Sequence, residues 1–188
     1  MKTLRKTAEE AYLKYANKII NRETWIDGFI SGIQYKKEYP QSIELCGLLW
    51  DTENLAIGGY EKDGHHYYTW QEAMDAAKAV GKRLPSCQEW KALCDLGSTW
   101  DDELKGRWFG GNHNSDHKGS LFLPAAGLRS YNSGELAYTS SNGYYWSSSP
   151  NYGVSNNAGY LYFYLGYVYP LYNNNRAFGF SVRCVQNK

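Results

Sequence analysis

"GKRLPSCQEWKAL", residues Gly81 to Leu93, ends one helix and begins another. Gly81 is a stop residue, because a glycine accepts the left-handed conformation that terminates helices. Ser86 and Glu89 then form a capping box: the hydroxyl accepts from the N3 amide while the carboxylate reaches back to the cap. The helix so started is expected to run to about Leu96 and stop at Gly97. Upstream, "TWQE" (69–72) repeats the signature with Thr69 and Glu72 and starts a helix reaching about Val80. Short strand-like pieces at Leu45–Trp50 and Leu55–Tyr60 precede this pair. After Trp100 the texture is strands and turns. "GRWFGGNHNSDHKGS" (106–120) reads as a loop, "LFLPAAGLR" (121–129) as a strand approaching and leaving Pro124, and "GYYWSSS" (143–149) as another. "GFSVRCV" (179–185) alternates and reads as a closing strand. Two helices followed by a run of strands predict an α+β fold with a mostly antiparallel sheet.

Residues 1–40 read separately, as a helical N-terminal extension. Leu4, Ala8, Ala11, Tyr12, Tyr15, Ile19 and Ile20 share one apolar face, and Thr24 can cap a second helix carrying Trp25, Phe29 and Ile33. Pro40 breaks the pattern, so the main domain is expected over 41–188. The extension either packs on that domain or joins copies of the chain into a homo-oligomer.

Composition excludes several classes of function. The chain has 188 residues, enough for one sizeable core, and its net charge of +1 without a basic cluster argues against a nucleic-acid surface. No apolar run reaches membrane-spanning length. Glu9, Glu10 and Lys14 interrupt any signal-peptide core, so no secretory signal is expected; a cytoplasmic location before release by another route, such as lysis, is the expectation. Of the four cysteines, Cys87 and Cys94 lie about 10 Å apart along one helix, too far for a disulfide. Buried reduced thiols are expected, with Cys94–Cys184 and Cys46–Cys184 bridges as alternatives. His113, Asp116 and His117 fall in a glycine-rich loop without a third strong ligand, so no metal or other cofactor is expected. His65 and His66 lead into a strand and are given no role.

The most unusual stretch is "NNAGYLYFYLGYVYPLYNNNRAFGF" (156–180). Seven of the chain's 18 tyrosines lie between Tyr152 and Tyr172, and no charged residue or histidine occurs from Leu136 to Asn175. Tyr160, Tyr162 and Tyr164 alternate with Leu161, Phe163 and Leu165, which predicts phenols on one face of a strand and apolar side chains on the other. Tyrosine offers large amphipathic contact area with only two χ angles to freeze, and asparagine supplies adaptable hydrogen bonds. A solvent-facing array of this composition suits recognition of a foreign surface. An ordinary exposed hairpin with cross-strand aromatic pairs, or core strands of a sandwich, is the plainer alternative.

Taken in order, "GKRLPSCQEWKAL", "LFLPAAGLR", "YYWSSSP" (144–150) and "NNNRAFGFSVRCV" (173–185) resemble C-type-lectin-fold proteins, in particular the branch related to formylglycine-generating enzymes. The C-terminal stretch is similar to the variable proteins of diversity-generating retroelements, and the resemblance spans roughly Leu45 to Val185. It implies a C-type-lectin-like domain whose segment at about 150–180 is diversified by adenine-directed mutagenesis. Mutated AAC codons never yield Lys, Glu, Gln, Met or Trp, and none of these occurs between Asn151 and Asn175.

The resemblance implies a non-enzymatic binding protein whose partner is a protein or glycan on a cell surface, as for a phage receptor-binding or bacterial recognition module. The variable surface would comprise Tyr152, Tyr160, Tyr162, Tyr164, Tyr167, Tyr169, Tyr172, Asn173, Asn174 and Phe178. Leu161, Phe163, Val168 and Pro170 would be fixed between them. Trp90, Trp146, Arg129, Arg176 and Arg183 are expected to be scaffold, and Ser147, Ser148 and Ser149 to satisfy local backbone groups. No catalytic residue is expected. A formylglycine-generating type of oxidase, needing redox-active cysteines, is one alternative. A calcium-independent carbohydrate-binding module is another, since the triplets of calcium-dependent animal lectins are absent.

Overall fold

The computed structural model describes residues 42–111, 117–151 and 153–188; the N-terminal extension expected over 1–40 lies outside them. The described residues form an α+β fold of two helices and antiparallel sheets. The helices are α1 (Trp70–Ala79) and α2 (Cys87–Asp95). Both expected capping boxes are present, with Glu89 N donating to Ser86 Oγ at 3.2 Å and Ser86 N to Glu89 Oε2 at 2.7 Å. Gly81 and Gly97, at φ 72° and 86°, end the two helices. Arg83 grips Glu89 with both Nη atoms, at 2.7 and 2.8 Å.

Strand β1 (Ser42–Leu45) pairs with β2 (Leu48–Asp51), and the last strand, β13 (Val185–Asn187), returns to the other side of β2. A small hairpin follows, β3 (Tyr60–Lys62) with β4 (His65–Tyr67). After the helices, β5 (Ser98–Asp101), β6 (Gly106–Phe109) and β7 (Leu121–Pro124) form a second sheet. The short pair β8 (Leu128–Arg129) and β9 (Leu136–Ala137) leads into the third. This third sheet consists of β10 (Asn142–Pro150), β11 (Asn157–Tyr164) and β12 (Val168–Asn175).

Two apolar clusters lie on opposite faces of β10 and β11. Tyr145, Leu161 and Phe163 join Trp50, Trp90, Leu93, Phe109, Leu121 and Leu123 on one face. Tyr144, Trp146, Ala158 and Tyr160 join Tyr68, Ala73, Ala77, Leu84, Phe180, Val182 and Cys184 on the other. The central sheet is therefore covered on both sides over much of its length, and strict alternation does not separate core from solvent there.

Four local expectations are corrected. Leu45–Trp50 is not one strand: Cys46 and Gly47, at φ 53° and 76°, turn the chain between β1 and β2. Of Leu55–Tyr60 only Tyr60 is in a strand; Leu55 N instead bonds Val182 O at 2.9 Å. "GRWF" is a buried strand rather than loop, because the Phe122 ring lies against Gly106, in the space a Cβ there would need. "GFSVRCV" is buried throughout, and only Val185 belongs to a regular strand. Phe180, Val182 and Cys184 point into one cluster and Val185 into the other, so the segment threads the interior instead of presenting a polar face.

The cysteines also differ in part from expectation. All four are free, and Cys184 is buried, but Cys46 is exposed because the β1–β2 turn carries it outward. Burial pushes the Cys94 and Cys184 thiols up to about 12. No helix among the described residues is long and apolar enough to cross a membrane.

Candidate functional site

The central sheet gathers the tyrosines into one array. Its register sets Tyr144 opposite Tyr162, Tyr162 opposite Tyr169, and Tyr160 opposite Tyr172. Between the last two pairs the register shifts, so Pro170 and Leu171 together face Leu161. Proline donates no ladder hydrogen bond, which suits it to this bulge. The extra residue puts Tyr169 and Tyr172, three apart in sequence, beside the same neighbour: Tyr162 lies 5.8 Å from Tyr169 and 6.1 Å from Tyr172. The rings continue without a gap from Tyr160 through Tyr172, Tyr169 and Tyr167 to Tyr164, each step 5.8 Å between centroids. Tyr162 and Tyr169 are nearly parallel, at 14°, and such offset stacking holds the rings rigid.

Exposure is graded along the array, which corrects the expectation that the phenols share a single outward face. Tyr160 is 3% exposed, packed with Trp146 and Phe180. Tyr162 and Tyr164 are half-buried. Tyr169, Tyr172 and Tyr167 are 37%, 52% and 60% exposed. Leu165, expected on the inner face, is exposed as well, because Tyr164 and Tyr167 close a tight turn around it with reciprocal backbone hydrogen bonds. Leu161 and Phe163 are fully buried, and Val168 packs against their cluster.

The other expected contact residues fall at the margin. Asn173 is exposed and accepts from Asn157 Nδ2 at 2.9 Å, while Asn174 accepts from Asn175 N at 2.8 Å. Phe178 is half-buried, set edge-on to Tyr131 at 4.8 Å and stacked on Phe180. Tyr152 lies outside the described residues, as do His113 and Asp116. His117 stacks on Trp108 at 4.4 Å, and among the described residues no His, Cys, Asp and Glu group of three could hold a metal.

Sequence reasoning missed Tyr138 and Tyr144. Tyr144 is the hub on β10, with its ring 5.0 Å from Tyr162, and Asn142 Nδ2 donates to both phenol oxygens, at 3.3 and 2.9 Å. Tyr138 is exposed and adjoins Tyr144 at 6.3 Å. Both lie inside the charge-free span from Leu136 to Asn175, which was the available signal.

Beneath the array the scaffold residues hold it from several sides. Trp90 Nε1 donates to Trp146 O at 3.3 Å, and Trp146 Nε1 donates to Tyr68 O at 2.7 Å. Arg183, 1% exposed, donates to Asn54 Oδ1 and Asp51 O. Arg176 donates to Asn157 O and lies over the Trp70 ring at 4.2 Å. Arg129 covers the Tyr60 ring at 4.4 Å. Ser147 Oγ donates to Gly159 O, and Ser149 Oγ accepts from Cys87 N, tying β10 to the start of α2.

The family comparison covers this surface. Residues 95–185, from the end of α2 to the beginning of β13, match the model of a family described as a domain of unknown function (DUF8237). No curated protein and no solved structure matches the chain.

Burial is the largest cause of every resolved phenol shift in the array. It raises Tyr144, Tyr160, Tyr162 and Tyr164 above the usual tyrosine value, so these rings stay neutral at physiological pH. The same effect lifts Tyr67, Tyr68 and Tyr145 in the core to about 12. These folded values lie above the unfolded value of about 10. The stability tied to the neutral phenols is therefore complete below pH about 10 and lost as pH rises toward the folded values. Alkaline titration is expected to show buried tyrosinate absorbance appearing together with loss of near-ultraviolet circular dichroism, in one cooperative step above pH about 10. Ionisation of all the tyrosines with the tertiary signal intact would contradict the burial described.

Proposed function

We propose that the chain is a non-enzymatic recognition protein that grips a protein or glycan on a cell surface through the tyrosine array. The observation that carries this reading is the exposed end of the array: Tyr167, Tyr169 and Tyr172, with Leu165 and Leu171, form an uncharged aromatic surface on a braced sheet. Preordered rings lose little entropy on binding, and a surface without charges has no ion to desolvate.

The finer reading is a C-type-lectin-like domain diversified by a retroelement. Supporting it are the four motifs in their order, the return of β13 beside β2, and the clustering of Tyr and Asn on β11 and β12. Diversification would act on the exposed positions, Tyr167, Tyr169, Tyr172 and Asn173, rather than on buried Tyr160. The enzyme alternative is disfavoured by the Cys94 and Cys184 thiols, which burial keeps protonated.

The test is a binding screen of the full chain against whole bacterial cells and an array of purified glycans. Substituting Tyr167, Tyr169 and Tyr172 together by Ser is expected to weaken any captured partner by at least about tenfold, with thermal stability retained. Binding unaffected by all three changes, or no binding across the screen, overturns the proposal. In the gene, a nearby near-copy differing only at adenines and lying beside a reverse transcriptase would support the retroelement reading.

A further inference from the structure

Arg107 is a cation on the wrong side of its sheet. Its register partners are Trp100 on β5 and Leu123 on β7, so it projects from the same face as Leu121, Leu123 and Phe109, the face that supplies the apolar core. It is 8% exposed. None of the ion pairs formed among the described residues involves it. Its Nε is buried without an acceptor, and Nη2 makes one long bond, 3.4 Å, to Leu165 O. Arg183 shows what a satisfied buried guanidinium looks like in this protein, with Nε and both Nη atoms donating. Burying a charge without a partner is costly, and the chain gains nothing visible from it in the free state.

Arg107 also sits in a telling place. Leu165 is the exposed turn residue between Tyr164 and Tyr167, at the tip of the array. No residue from Leu136 to Asn175 carries a charge, so the array itself offers an anion only neutral phenol and amide donors. We propose that Arg107 is an anion-reading residue beside the array, lying on the opposite face of the sheet and taking a carboxylate of the bound partner at the β11–β12 tip. A carboxylate presents two oxygens in one plane, matching the pair of Nη atoms at the end of the guanidinium fork. The long bond to Leu165 O is the weak contact it would displace. The identity of the partner rests on the proposed function; the anion site itself rests on Arg107. Acidic side chains and uronic acids offer the same group.

The experiment is an NMR titration of the full chain labelled with 15N-arginine, adding sodium acetate or sodium chloride at matched ionic strength. The Arg107 Nε–H signal is assigned by its loss in Arg107→Lys, or in Arg107→Gln should the lysine variant not fold. A saturable shift of this signal with acetate and none with chloride is the expected result. It should be accompanied by an acetate-dependent rise in Tm that the variant lacks. Equal shifts with both salts, or no shift, overturn the inference and leave Arg107 a packing residue. Glucuronate and an N-acetyl-glutamate amide then distinguish the sources: saturation by either supports the site, the tighter one naming the source, and saturation by neither overturns it. Should acetate saturate while the binding screen finds no partner, the anion site stands and the proposed function falls. Should tyrosine-dependent binding occur with acetate inert, the reverse holds.

Discussion

Tyr160→Ser lowers unfolding stability by roughly 3–5 kcal/mol, whereas Tyr172→Ser changes it by no more than about 0.5 kcal/mol. The two residues are cross-strand partners with rings 5.8 Å apart, and both belong to the same tyrosine-rich segment. They differ in what lies behind them. Tyr160 is 3% exposed, against Trp146, Tyr144 and Phe180, so serine would leave a ring-sized cavity and a hydroxyl in an apolar site. Tyr172 is 52% exposed, and water replaces its ring at little cost. Chemical denaturation of the two variants measures the difference directly. Equal effects would mean that the graded burial along β11 and β12 is wrong. The result also bears on diversification, since a position that costs several kcal/mol when replaced cannot be varied freely.

Trp146→Ala is expected to lower stability by roughly 3–5 kcal/mol, which for a chain of this size corresponds to a fall in Tm of roughly 6–20 °C. The indole is fully buried, stacked on Phe180 at 4.2 Å, and its Nε1 bonds Tyr68 O at 2.7 Å. Its own carbonyl accepts from Trp90 Nε1, so one residue joins α2, the segment before α1 and the C-terminal stretch. Trp146→Phe keeps most of the volume and loses the indole N–H, and should cost distinctly less. A thermal melt showing the alanine variant within a degree or two of the parent would remove Trp146 from the scaffold.

Much of this architecture was legible in short stretches. Both capping boxes and both glycine stops are where "TWQE", "SCQE", Gly81 and Gly97 put them, because a cap is made by residues within one turn of each other. The strands at 121–124 and 142–150 could be read from their aromatic and leucine content and their punctuation by Pro and Gly. The site was partly legible too: absence of charge from Leu136 onward marked the segment, and the outermost tyrosines are among those it contains.

What misled was the period of two. In "GYLYFY" it separates phenols from apolar side chains correctly, yet it cannot say which side meets water. Packing of Trp146 and Phe180 over Tyr160 buries one end of the phenol face, while the bulge at Pro170 and Leu171 carries Tyr169 and Tyr172 outward onto it. The identity of Tyr144 as the hub depends on its register with Tyr162, eighteen positions along the chain. Helix ends, strand content and an uncharged aromatic segment follow from chemistry between near neighbours, and these the linear chain dictates. Which rings are held inside, which are offered outward, and where Arg107 comes to lie depend on partners distant in sequence, brought together only when the sheets close over two shared cores.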